Sequence, residues 1–147
     1  MKPILRNSLA VVAGLVVGSA VNMGLILISG SVIPPPEGAD TTSMEGLEAS
    51  LHLFEPKHFL FPFLAHALGT LVGAFTAALL AGSNKCLMAM IIGFLFLTGG
   101  VTNAFLLPAP AWFITLDLLV AYLPMAWLGC KLAGGGQTQP AGVIKTE

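Results

Sequence analysis

Apolar residues fill four stretches of this chain almost without interruption, at residues 8–30, 59–82, 87–107 and 111–133. Each has the roughly 20 residues that an α-helix needs to cross the hydrocarbon core of a bilayer. Residues 31–58 break the pattern. Pro34, Pro35 and Pro36 cannot continue a helix, because proline lacks the backbone N–H and clashes with the preceding turn, so an extended strip is expected there. Met44, Leu47, Leu51 and Phe54 then recur at helical spacing, with Glu45, Glu48 and His52 off the stripe. This predicts a short amphipathic helix over residues 43–54, entered through a Thr42–Glu45 capping box. It would lie on the outer membrane surface or on top of the bundle. Pro56 suits the first turn of the second span. Trp112 and Phe113 follow the short 107–111 link as interfacial anchors. Residues 135–147 are polar and glycine-rich at their start, and a flexible cytoplasmic tail is expected. The fold read from this pattern is all-α: an integral membrane four-helix bundle with one amphipathic outer-surface helix. It forms one domain over residues 1–134.

Composition supports a membrane protein, with 56% hydrophobic and 9% charged residues. A net charge of −1 and the absence of any basic run argue against a nucleic-acid partner. The charges are sorted along the chain. Lys2, Arg6, Lys85, Lys131 and Lys145 flank one end of the spans. The first long loop carries Glu37, Asp40, Glu45, Glu48 and Glu55, with Lys57 as its one cation. By the positive-inside rule the N- and C-termini are cytoplasmic and the acidic loop faces out, as in a multi-pass protein of a bacterial-type inner membrane. The first apolar run exceeds the 7–15-residue core of a signal peptide and is read as a retained span. Cys86 and Cys130 both fall at the cytoplasmic ends of spans. A reducing compartment disfavours a disulfide there, so the two are expected to be small packing residues.

Small residues recur at four-residue steps, which place them on one helix face. Ala10, Gly14, Gly18 and Asn22 do so in the first span, and Ala65, Gly69, Gly73 and Ala77 in the second. Tyr122, Ala126, Gly129 and Ala133 share a stripe in the fourth. Water drives no helix pairing in lipid, so such faces let backbones approach within one chain, or else between copies in a homo-oligomer. Pro62 and Pro124 should kink the second and fourth spans. A faint repeat links Gly18, Asn22 and Leu25 with Gly99, Asn103 and Leu106, and hints at a duplicated hairpin.

Five polar residues inside the spans carry the candidate chemistry: Asp117, His66, Asn22, Asn103 and Tyr122. Counting along the helices puts the first four in the outer half, roughly 6–12 Å below the interface, with Tyr122 deeper. An ionised group at helix-centre depth costs about 2.5–3.5 kcal/mol, so Asp117 needs a partner, and His66 is the natural one. The bland reading is polar glue between helices. The functional reading is an outward-facing polar pocket that binds or transports a small ligand, a cation or a lipid head group. At the rim His52, Glu55 and His58 are spaced three apart, but Pro56 interrupts them and no metal is expected.

No Gly-x-Ser-x-Gly, HExxH or phosphate-loop motif is present, which leans away from an enzyme and calls for no cofactor. Arg6 is the one arginine, which weakens an anionic substrate. The expected partners are membrane lipids, further copies of the chain or a larger membrane complex. In the last case the chain would be a non-enzymatic accessory or assembly subunit.

Overall fold

The computed structural model of the chain describes residues 2–136 and is helical throughout, with no strand among the described residues. Six α-helices follow one another: α1 (Pro3–Val32), α2 (Met44–Ser50), α3 (Leu60–Leu80), α4 (Lys85–Leu106), α5 (Ala111–Val120) and α6 (Leu123–Leu132). Two short 3-10 turns, Leu51–Leu53 and Pro56–Phe59, join α2 to α3. Four units are long and apolar enough to cross a membrane: α1, α3 with its preceding turn, α4, and α5 with α6. They run up and down. One end of the bundle gathers Lys2, Arg6, Lys85 and Lys131, and is called here the basic end; the other carries the 33–59 loop and is the acidic end. The tail expected from residue 135 lies, beyond Gly136, outside the described residues.

The helix boundaries follow the breakers in the sequence rather than its apolar run. α1 was expected over 8–30 but begins at Pro3, whose fixed φ and missing N–H suit a first helical position, and ends just before the proline strip. Its 30 residues span about 45 Å, longer than a bilayer core of about 30 Å. Pro62 falls in the first turn of α3, where the N–H that proline lacks would have no partner within the helix, and α3 continues unbroken. Pro124 acts differently. Its ring would clash with the carbonyl of Val120, four residues back, and α5 ends at that residue. Tyr122 takes a non-helical backbone (φ −115°, ψ −82°), and α6 starts afresh at Leu123. The fourth span is therefore two helices.

The small faces pack within the chain. A Cβ placed on Gly14 would lie 2.6 Å from the Gly73 carbonyl oxygen, and one on Gly18 would lie 2.6 Å from that of Gly69. The α1 and α3 backbones thus touch directly. Gly129 of α6 sits equally close to the backbone of α3, with a Cβ there 2.8 Å from the Phe75 nitrogen. The core of this half is built largely from alanines, including Ala10, Ala74, Ala77, Ala78, Ala89 and Ala126, with Ile92 and Met88. The apparent repeat does not extend to packing. Gly18 is pressed against Gly69, whereas a Cβ on Gly99 would meet nothing within 4 Å; Gly100 takes the packed position, against the Tyr122 ring.

The basic end is closed by polar ties. Arg6 Nε donates to the Leu80 carbonyl (2.9 Å), and Lys85 Nζ donates to that of Ala133 (3.1 Å). Both cations satisfy carbonyls at helix C-termini, where a positive charge is favoured. Asn7 Oδ1 accepts from the Gly82 amide (2.9 Å) in the link between α3 and α4. The cysteines correct the sequence reading, because Cys86 and Cys130 form a disulfide, with Cα atoms 4.9 Å apart. A reducing compartment sets how often such a pair is oxidised, not whether the two thiols meet. The fold decides proximity: the first turn of α4 and the last turn of α6 meet at one level, within the 4.4–6.8 Å that a disulfide spans.

Candidate functional site

Toward the acidic end the helices part, and the gap becomes a site. Asp117 on α5 is 4% exposed, an expensive place for a carboxylate unless it is partnered. His66 of α3 supplies the first partner, its Nδ1 lying 2.9 Å from Oδ1 and 3.0 Å from Oδ2. Tyr122 supplies the second, its hydroxyl donating to Oδ2 at 2.8 Å. In an unbroken helix, residues five apart point about 140° away from each other, so Tyr122 could not reach Asp117. The interruption before Pro124 turns its ring inward. Thr70, wholly buried one turn below His66, donates to the His66 carbonyl (2.7 Å) and so satisfies its own hydroxyl.

A carboxylate can only accept, so the proton between the pair sits on Nδ1 of His66. In the neutral ring Nε2 is then an acceptor. The hydrogen bonds of the ring are all on its Nδ1 side, and the side chain keeps 19% of its surface exposed. The imidazole therefore presents one unclaimed polar atom.

A cavity of about 410 Å³ lies above the pair. That is within the range of about 300–1,000 Å³ typical of small-molecule pockets. His66 and Asp117 are part of its wall, with Asn22 from α1 and Asn103 and Gly100 from α4. A smaller hollow of about 160 Å³ shares Asn22, His66, Gly100 and Asn103, and has Tyr122 in its wall. All five residues singled out from the sequence thus line these two hollows. The structure joins three of them by hydrogen bonds. Asn22 and Asn103 face the same space, and neither amide bonds to the His66–Asp117–Tyr122 group.

The roof is the second of the two positions expected for the amphipathic helix, the bundle top rather than the membrane surface. The amphipathic helix lies across the bundle top, and Met44, Leu47 and Leu51 of its apolar stripe close the cavity together with Phe54 and Phe59. Its stripe was legible in the sequence; its destination was not, since a membrane surface would accept the same stripe. Its N-cap also differs from the expected Thr42–Glu45 box. Asp40 captures Thr42, accepting from its amide (2.9 Å) and hydroxyl (2.6 Å), and Ser43 caps the helix by accepting from the Gly46 amide (3.0 Å). These Thr42 bonds, the side-chain one foremost, hold the Asp40 carboxyl below its ordinary value of 3.8. The rim residues do not converge. His58 Nδ1 accepts from the Glu55 amide (3.0 Å), and Glu55 pairs with Lys57 (2.9 Å). His52 turns to the Ala49 carbonyl (2.8 Å). No group of three metal-ligating side chains forms among the described residues.

No family model matches this chain, and no curated protein or solved structure matches it either.

Proposed function

We propose that this chain is a four-span membrane protein whose acidic-end cavity binds a small ligand at the His66–Asp117 pair. The distribution of side-chain size supports the membrane reading. Alanine and glycine fill the interior, while large apolar residues face outward: Val16 (63% exposed), Leu27 (73%), Leu119 (68%) and Phe105 (87%). Water would penalise that surface by about 25 cal/mol for each Å², whereas lipid does not. The acidic end faces outward and the basic end lies in the cytoplasm of a bacterial-type inner membrane, following the sorting of Lys and Arg. Arg6 and Lys85 also cap helices, so part of that bias has a structural use. The Cys86–Cys130 disulfide at the basic end pulls against that orientation, because a reducing cytoplasm opens such pairs. Thiol alkylation in intact cells decides: both cysteines reactive places the basic end inside, and both protected places it outside and reverses the topology.

The observation that carries the ligand reading is a nearly fully buried carboxylate, bonded twice, beneath a roofed cavity into which an imidazole presents an open nitrogen. An intramembrane ionisable pair of this kind marks function more often than packing. Native mass spectrometry of the protein released gently from its own membrane is the test. A small molecule should remain bound to wild type and be lost from His66→Ala. A stoichiometric membrane-protein partner with no retained molecule would assign the accessory role instead.

A further inference from the structure

Three features of the cavity define what it can take, on the reading that it is a ligand site. The first is where it opens. Met23 and Ile26 of α1 and Asn103 of α4 line the cavity and are also exposed on the outer surface. Met23 is 55% exposed. These residues lie within the apolar helices, level with the His66–Asp117 pair, and not on the polar loops. Met44 at the roof edge is also exposed (51%), so the cavity reaches the surface there as well as laterally between α1 and α4, and the lateral opening is the one bordered by apolar helices. α2 and Phe54 roof the cavity at the loop end.

The second is charge. No lysine or arginine lines the cavity, so a phosphate or carboxylate head would find no cation of its own. Lys57, the nearest in sequence to the roof, is paired with Glu55. Asp117 is the one carboxylate in the wall, and both its oxygens are already met by His66 and Tyr122. An ammonium head would have to displace one of them.

The third is the pattern of open hydrogen-bonding groups. In the neutral ring Nε2 of His66 accepts, and the amides of Asn22 and Asn103 both donate and accept. A neutral hydroxyl satisfies all three, because it donates to the imidazole and accepts from an amide. His58 at the rim is the other polar residue of the lining, its Nδ1 taken by the Glu55 amide, and the remainder is apolar, including Ile26, Leu47, Leu51, Phe59, Ile114 and Leu118.

We infer that the cavity takes a neutral, hydroxyl-headed amphiphile directly from the bilayer. Its apolar chain enters between α1 and α4, and its hydroxyl ends on His66 Nε2, flanked by Asn22 and Asn103.

Photo-crosslinking of the full chain in lipid nanodiscs tests this. Three probes share a sixteen-carbon chain with one mid-chain diazirine, and end in a hydroxyl, a phosphate or a trimethylammonium group. The alcohol should mark the segments around Met23–Ile26 and Asn103–Leu107 about tenfold more than the other two, the scale of one well-made hydrogen bond. His66→Ala should remove that preference. Asn103→Trp, which narrows the aperture, should cut the labelling about tenfold, while Phe105→Trp on the lipid face should leave it unchanged. Equal labelling by all three heads, or no effect of either His66→Ala or Asn103→Trp, overturns the inference. A charged head winning at the same residues overturns the hydroxyl chemistry and leaves the ligand pocket standing. If no probe marks the cavity, and native mass spectrometry finds nothing retained, the pocket reading falls as well.

Discussion

The two ends of this bundle solve the same packing problem in opposite ways. At the basic end the helices meet through Gly14, Gly73, Ala77 and Ala126, and the contacting surfaces are almost flat. Backbones touch, and the hollows at this end are grooves on its surface, one beside Asn84–Leu87 and one between Ile4, Val11 and Met88. At the acidic end the contacts are made by Phe59, Phe113, Phe63, Leu107 and Leu51. Phe59 and Phe113 pack with ring centroids 4.8 Å apart and planes tilted by 43°. Rings of that size hold helices apart, and what they do not fill becomes the cavity. The lesson is that residue size sets helix separation, and separation sets whether a polar group can be reached. Asp117 sits where the regime changes, buried against α3 below and open to the cavity through His66 above.

The sharpest way to break the comparison is to put a large residue into the tight half. Gly14→Leu forces a side chain into the Gly73 carbonyl and Ala77, and should destabilise by about 3 kcal/mol. Gly24→Leu, at a glycine with nothing within 4 Å, should instead be neutral or slightly stabilising. Unfolding curves in detergent distinguish the two, and equal losses would mean the α1–α3 contact is not as close as described.

The boundary comes next. Asp117→Ala removes the shared acceptor and leaves the buried Tyr122 hydroxyl unbonded, at a cost of about 2 kcal/mol. Tyr122→Phe removes one bond to a carboxylate that keeps His66, and should cost about 1 kcal/mol. The double variant should lose less than the sum, because each change deletes the same bond. Additive losses in that cycle would show the pair to be uncoupled.

The loose half should respond to Leu47→Asp by opening its roof rather than by unfolding. Melting should shift little, while a solvent-accessible cysteine reagent should reach Ala104→Cys about tenfold faster. An unchanged rate would mean α2 does not close the cavity.

The smallest effect concerns the loop that positions α2. Asp40 has its carboxyl held low by Thr42, so it favours the folded loop above the ordinary value of 3.8. That contribution is lost as the pH falls through the lowered folded value. Hydrogen exchange at the Thr42 amide should therefore quicken at the acid end of that window, and in Asp40→Ala at every pH. Exchange that slows with acid, after correction for the intrinsic rate, would contradict the Asp40–Thr42 bond.

Much of this molecule is legible in one dimension. Four apolar runs of about 20 residues admit little but four spanning helices, since unpaired backbone groups are too costly in lipid. Glycine and alanine at four-residue steps announced the α1–α3 face, because a helix repeats its surface at that spacing. Asp117 and His66 were paired in advance for the same kind of reason: a buried charge must find a partner, and the chain offered few. Local rules do not reach the other findings. Whether α2 would lie on lipid or on the bundle depended on what lay beneath its stripe. Cys86 and Cys130 are 44 residues apart and join only because the ends of α4 and α6 share a level. Tyr122 reaches Asp117 only because Pro124 halts α5, which turns a side chain that helical periodicity would have aimed elsewhere. Periodicity and burial cost act within a segment and are written in the sequence; the cavity, its roof and its hydroxyl-bonded carboxylate depend on distances between segments, which only the packed helices decide.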